Sequence, residues 1–176
     1  VYTDSPVGRG KLDSLLRAGM AAPSSGNKQP WIFIAIDDKE ILSALGEALP
    51  NAAMARSAPA AIAVCGDMKE TYEGELQDFW LLDCSAASQN ILLAAESLGL
   101  GAVWTGVYPS AERMSAVSSI LELPSNIRPL NLIVLGYPAV NGRPKDKYHQ
   151  CKIFLNRWEQ RAEGCEKIEE DDQEPI

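Results

Sequence analysis

Between positions 22 and 31 the chain reads Ala-Pro-Ser-Ser-Gly-Asn-Lys-Gln-Pro-Trp. Ser24, Ser25, Asn27 and Gln29 put two hydroxyls and two side-chain amides into six residues, and Lys28 is the only charge among them. Hydroxyls and amides both donate and accept hydrogen bonds. Such a set suits a flat ligand edge on which donors and acceptors alternate. A phosphate would favour glycines and lysine at a helix start, and a metal ion would favour carboxylates, imidazoles or thiolates. The same residues also make a plain polar turn, with Pro23 and Gly26 bending the chain and Ser24 and Asn27 bonding nearby backbone. On this segment alone both readings stand.

A second loop, Trp104-Thr105-Gly106-Val107-Tyr108-Pro109, leaves a strand at Gly106, where backbone N–H groups can face a ligand without Cβ interference. Its plain reading is a strand-to-helix turn. Arg143, Lys145 and Lys147 place three cations in five residues, suited either to a solvated surface or to a phosphate held by charge-assisted donors. Gly99-Leu100-Gly101 follows a helix and precedes a strand, the reverse of the order a dinucleotide fingerprint needs. It reads as a helix cap and a tight turn. No carboxylate pair forms an acid–base dyad, and a Ser-His-Asp triad would depend on His149, the only histidine. Asp83 reads as an anchor from a helix to a loop, since a lone buried charge needs a partner. If the chain is an enzyme, a cofactor supplies the reactive group.

The elements that hold these loops follow from periodicity. Leu12, Leu15, Leu16, Gly19 and Met20 recur at helical spacing, which predicts a helix over 10–21 that Pro23 terminates. Strands are expected at 31–36, 60–65, 102–107 and 130–135, and helices at 39–48, 77–98 and 110–121. The helix at 77–98 is apolar almost all round, so it is buried on most sides, by its own domain or by a partner. Gly99 is its expected left-handed cap. Strands alternating with helices predict one sheet covered by helices on both faces.

At 176 residues, 46% of them hydrophobic and 23% charged, one soluble globular domain is the simplest expectation. The net charge of −8 is mostly local, because positions 159–176 carry eight acidic and two basic residues. That acidic segment reads as a disordered tail, and 1–158 as one near-neutral domain with an extension from about 139. Nothing points to nucleic acid or to a membrane. Cys65, Cys84, Cys151 and Cys165 lack Cys-x-x-Cys spacing and read as reduced thiols of a cytoplasmic protein.

Taken in order, several segments resemble the nitroreductase family of FMN-dependent oxidoreductases. They are Tyr-Thr-Asp-Ser-Pro-Val at 2–7, the segment at 22–31, and Asp-Cys-Ser-Ala-Ala-Ser-Gln-Asn-Ile-Leu-Leu-Ala-Ala at 83–95. Gly-Leu-Gly-Ala-Val-Trp-Thr-Gly-Val at 99–107, Leu-Gly-Tyr-Pro at 135–138 and Arg-Pro-Lys-Asp-Lys at 143–147 complete the set. The resemblance implies an α+β fold, a three-layer α/β/α sandwich with a four-to-five-stranded mixed sheet and a long central helix. It also implies an intertwined homodimer with two FMN sites at the subunit interface. By matching position, Pro23, Ser24, Ser25 and Asn27 contact the flavin and Gln29 supports their loop. Asn51 bonds the pyrimidine edge, Thr105 and Gly106 offer backbone N–H groups near flavin N5, and Lys145 and Lys147 approach the phosphate. No metal is implied. In the family an Arg- and Ser-containing segment that grips the phosphate precedes the segment at 2–7; the residues here start at Val1, and the expectation is that an upstream piece is omitted.

The implied activity is a ping-pong, two-electron reduction of nitroaromatics, quinones or similar acceptors by NAD(P)H. A flavin-binding or flavin-handling dimer without physiological reductase activity is the alternative, since it needs the same contacts. Dehalogenation or flavin cleavage ranks lower, because only about ten residues separate the second strand from the central helix, too few for a substantial lid.

Overall fold

The computed structural model describes residues 1–140, 142 and 145–158. The chain divides into two units, Val1–Asn141 and Gly142–Ile176. In the first, helices α1 (Arg9–Met20), α2 (Lys39–Ala48), α3 (Phe79–Ser97) and α4 (Ala111–Ile120) alternate with strands β1 (Trp31–Ile36), β2 (Ala60–Asp67), β3 (Gly101–Gly106) and β4 (Ile127–Gly136). The order follows the periodicity of the sequence. Two local features do not. A 3₁₀ segment, Pro50–Ser57, follows α2, and β4 begins three residues early, running through Pro129. Proline has no N–H for a ladder and is tolerated in a strand at irregular positions. Here it lies opposite Cys65, where the β2–β4 register shifts.

The sheet order is β1-β2-β4-β3, and every neighbouring pair is antiparallel. This corrects the expectation of a mixed sheet. β2 and β3 do run in the same direction, as a helical crossover such as α3 normally produces. But β4 lies between them, antiparallel to both. Likewise α2 packs against Pro50–Ser57 as a there-and-back pair, returning the chain to the end of the sheet that β1 had left.

Alternate residues of β2 serve two cores. Ala60, Ile62 and Val64 face α1 and α3, whereas Ala61, Ala63 and Cys65 face α2 and α4. All six are fully buried, so the strand is apolar throughout rather than alternating. The result is the three-layer sandwich that the sequence suggested.

α3 lies across the sheet on Trp80, Cys84, Ala87, Ile91 and Ala95. Its register on β4 is set by a buried polar chain in which Asn131 Nδ2 donates to Ser88 Oγ (2.8 Å) and Ser88 Oγ donates to the Cys84 carbonyl (2.8 Å). α1 packs beside it, where Asn90 Nδ2 donates to the Ala18 carbonyl at 3.0 Å. α3 ends as predicted at Gly99, whose φ is +71°. Leu100 N–H bonds the Ala95 carbonyl (2.9 Å) and Gly99 N–H the Glu96 carbonyl (3.0 Å), which satisfies the last turn. On the opposite side of α3, Leu82 is 63% and Leu93 62% exposed. Among the described residues, no helix is long and apolar enough to cross a membrane.

In the second unit a 3₁₀ turn spans Gln150–Lys152, and the rings of Phe154 and Trp158 stack at 4.3 Å. Cys151 is disulfide-bonded, which corrects its reading as a reduced thiol. Among the described residues the free thiols are Cys65 and Cys84, both buried. Arg143 and the acidic stretch 159–176 lie outside the described residues.

Candidate functional site

The loop at 22–31 is built to hold an unusual backbone. Gly26, Asn27 and Gln29 have φ of +56°, +55° and +50°, a conformation that glycine and asparagine visit easily and glutamine does not. The loop's own side chains compensate. Gln29 N–H donates to Ser24 Oγ (3.0 Å), and Gln29 Nε2 donates to Asn27 Oδ1 (2.8 Å). Asn27 N–H and Lys28 N–H close on the Ser24 and Ser25 carbonyls, both at 3.1 Å. From below, the buried Asp83 carboxylate of α3 accepts the Ser25 N–H at 2.8 Å. Asp83 is thus the helix-to-loop anchor expected from its position. From the side, Tyr72 abuts Gly26 so closely that a Cβ there would meet its hydroxyl, while Lys28 lies 5.1 Å over the Tyr72 ring. The loop is held internally on its acceptor atoms. The Ser24 and Ser25 hydroxyl hydrogens and Asn27 Nδ2 make no hydrogen bond among the described residues.

The second cluster stands at the end of β3, an edge strand. Val107 N–H bonds the Leu130 carbonyl (3.1 Å), so pairs one step back along the ladder alternate from that one. The alternation turns the N–H and carbonyl of Thr105 toward β4 and those of Gly106 toward the free edge. Thr105 is buried and its Oγ1 donates to the Leu132 carbonyl at 2.6 Å. Asn51, from the Pro50–Ser57 segment, donates from Nδ2 to the Gly106 carbonyl at 3.1 Å. Arg113 Nη1 donates to the same oxygen at 3.2 Å. Sequence reasoning missed Arg113. Its one signal is a cation at the third position of α4, where the helix dipole favours an anion.

Both clusters lie at the same end of the sheet, where β1 and β4 start and β2 and β3 finish. The 24–29 loop leads into β1 and Gly106 ends β3, and these are the two edge strands of the sheet, three strand spacings or about 14 Å apart. Asn51 bonds Gly106, and Ser24, Ser25, Asn27 and Gln29 share one loop; among the described residues no hydrogen bond joins the two sets. Lys145 and Lys147 belong to the unit Gly142–Ile176 and are exposed. Of the aromatic residues, Trp80 is 1% exposed and packs edge-on to Tyr108 at 5.4 Å, a core role.

A family model, the nitroreductase family, matches residues 1–52 and 46–137. The chain belongs to the nitroreductase family. It is 43% identical over 157 residues to a Methanothermobacter thermautotrophicus protein assigned as an NADH dehydrogenase/NAD(P)H nitroreductase, covering 89% of this chain and 81% of that one. The solved Parabacteroides distasonis protein of the same assignment is 50% identical with a TM-score of 0.84, over 89% of this chain and 90% of that one. An FMN-dependent nitroreductase from Clostridium difficile R20291 is 29% identical with a TM-score of 0.81, over 89% and 92% of the two chains. This nitroreductase is an FMN-dependent NAD(P)H oxidoreductase.

The residues present fit that cofactor. A Cβ built at Gly106 would meet only the Tyr108 carbonyl, at 4.0 Å, and the backbone there is not left-handed. Nothing inside the chain requires glycine at 106; open space on the strand edge, where a ring can approach the backbone, accounts for it. The neutral donors of the 24–27 loop match the carbonyls and ring nitrogens of a flavin. Among the described residues no cluster of His, Cys, Asp or Glu has metal-holding geometry. Burial pushes the Cys65 thiol up to about 12 and raises Cys84 as well, with Cys65 and Asp83 adding to the latter. Both are protonated at neutral pH and neither is a nucleophile.

Proposed function

We propose that the protein reduces nitroaromatics, quinones or similar acceptors with NAD(P)H in a ping-pong sequence, working as a homodimer with a site shared between subunits. The observation that carries this reading is that the residues proposed to contact the flavin fall in two places, the 24–29 loop that leads into edge strand β1 and the Asn51–Gly106 pair at the end of edge strand β3. A second chain can bring the 24–29 loop of one protomer to the Gly106 edge of its partner. When bound, FMN would supply the two-electron redox chemistry between NAD(P)H and the acceptor.

The chain's own residues bind and orient. Ser24, Ser25 and Asn27, backed by Pro23 and Gln29, offer donors to the polar edge of the ring. Gly106 offers its N–H from the free edge of β3, and the Thr105 hydroxyl bond to β4 steadies the residue before it. Asn51 borders the same edge. Lys145 and Lys147 supply cationic donors for the phosphate, and the segment from about 139 reaches the partner. No side chain near either cluster forms an acid–base pair, so protons come from solvent, and positioning does the work.

Steady-state oxidation of NADH and NADPH with nitrofurazone or menadione tests the proposal. Turnover with parallel double-reciprocal lines is expected. FMN-loaded protein that turns over neither acceptor would instead favour the flavin-handling dimer.

A further inference from the structure

We infer that Arg113, together with Asn51, is a positioning residue that sets the backbone conformation at Gly106 and thereby the approach of the flavin ring. The inference rests on the reading above that the ring lies against Gly106.

Glycine is the residue least able to hold its own φ and ψ, and at 106 it has no side chain to pack. Its two flanking peptides must therefore be held by other groups. The peptide before it, Thr105–Gly106, is fixed by the β3–β4 ladder and by the Thr105 hydroxyl on the Leu132 carbonyl. The peptide after it, Gly106–Val107, lies where the strand ends. Its N–H, that of Val107, goes to the Leu130 carbonyl at 3.1 Å, and the Tyr108 N–H joins that acceptor at 3.0 Å. Its carbonyl points off the sheet, where a strand edge normally meets water. Instead it accepts from Asn51 Nδ2 (3.1 Å) and Arg113 Nη1 (3.2 Å). Two donors on one carbonyl use both of its lone pairs.

The consequence is twofold. The Gly106–Val107 peptide plane is held from both sides, its N–H on Leu130 and its carbonyl on Asn51 and Arg113, which fixes ψ of Gly106 as the ladder fixes the peptide before it. The carbonyl is also engaged on its outer side, so the edge offers a ligand a donor rather than an exposed acceptor. Arg113 reaches back because α4 starts only a few residues after β3, and Ser110 Oγ accepts the Arg113 N–H at 3.4 Å in the first turn. The donor is thus mounted on a helix rather than on a loop.

Four variants test this: Arg113→Ala, Arg113→Lys, Asn51→Ala and Gly106→Val. Two readouts apply, amide hydrogen exchange at Val107 and Tyr108, whose N–H groups bond the Leu130 carbonyl, in FMN-free protein, and FMN affinity with the visible spectrum of the bound flavin. Arg113→Ala should speed exchange at these two amides and weaken FMN binding about tenfold, the loss typical of one charge-assisted hydrogen bond. It should also shift the flavin absorption bands while leaving the thermal midpoint near that of the parent. Arg113→Lys should recover most of both effects, and Asn51→Ala should move exchange in the same direction. Arg113→Ala with parental exchange and parental FMN affinity would overturn the inference. Gly106→Val should fold normally and lose FMN. If it binds FMN as the parent does, the ring does not lie at Gly106, and the functional reading fails before the role of Arg113 is reached.

Discussion

Asp83 receives one backbone N–H from the loop that carries the neutral donors, and it does so from a position only 5% exposed. Removing the carboxylate takes the acceptor from a half-buried N–H, which costs about 0.5–1.5 kcal/mol. Asp83→Ala should therefore lower the denaturation midpoint and weaken FMN binding together, because the 24–27 loop loses its anchor. Asp83→Asn keeps an acceptor oxygen and should retain most of both. Equal damage from the two variants would show that charge, not the bond to Ser25, is what matters. The buried thiols give a pH effect of definite sign. In the folded protein Cys65 and Cys84 stay protonated, Cys65 up to about 12, whereas in the unfolded chain a thiol ionises near about 8.5. Above that pH the unfolded chain gives up protons that the native state keeps, so stability is intact below about pH 8.5 and falls as pH rises toward the folded value. The slope is about 1.4 kcal/mol per pH unit for each thiol. Denaturant midpoints at pH 7, 9 and 10 check it, and Cys65→Ala should flatten the decline.

At the scale of elements, the turn from α3 into β3 depends on Gly99. No atom lies within 4 Å of a Cβ placed there, so crowding is absent and the positive φ alone requires glycine. Gly99→Ala should cost about 1 kcal/mol, seen as a lower thermal midpoint, with FMN affinity unchanged. Gly99 was legible in the sequence because the signal is local: an apolar helix ends and glycine follows. The 24–29 loop was legible for a related reason, since its residue types announce hydrogen bonding whatever surrounds them. Arg113 was not. A surface arginine in the first turn of a helix looks solvated until the strand before it is placed, and its bond to the Gly106 carbonyl depends on where α4 lands. The strand directions were hidden similarly. Periodicity locates β2 and β3, but not that β4 enters between them.

At the scale of the whole molecule, α3 carries an outward apolar face, with Leu82 and Leu93 both more than 60% exposed, although the helix is apolar nearly all round. Exposed apolar area of this kind marks an interaction surface. On the proposed reading of a flavin site shared between subunits, this face is where a second copy would sit. The protein should therefore elute as a dimer in size-exclusion chromatography with light scattering. Leu82→Glu with Leu93→Glu should yield monomer that has lost FMN as well as the dimer. Monomer that still binds FMN tightly would place the whole cofactor site within one chain.

The sequence by itself determined the eight main elements, the cap at Gly99, the anchoring role of Asp83 and the two loops whose donors suit a flavin. These depend on side-chain type and short-range periodicity, which a chain carries wherever it goes. Tertiary structure alone decided the antiparallel order of the sheet, the shared hold of Asn51 and Arg113 on Gly106, and the placing of the 24–29 loop and of Gly106 at opposite edge strands. Each of these depends on which distant segments become neighbours, and that is settled by burying two apolar faces on one sheet.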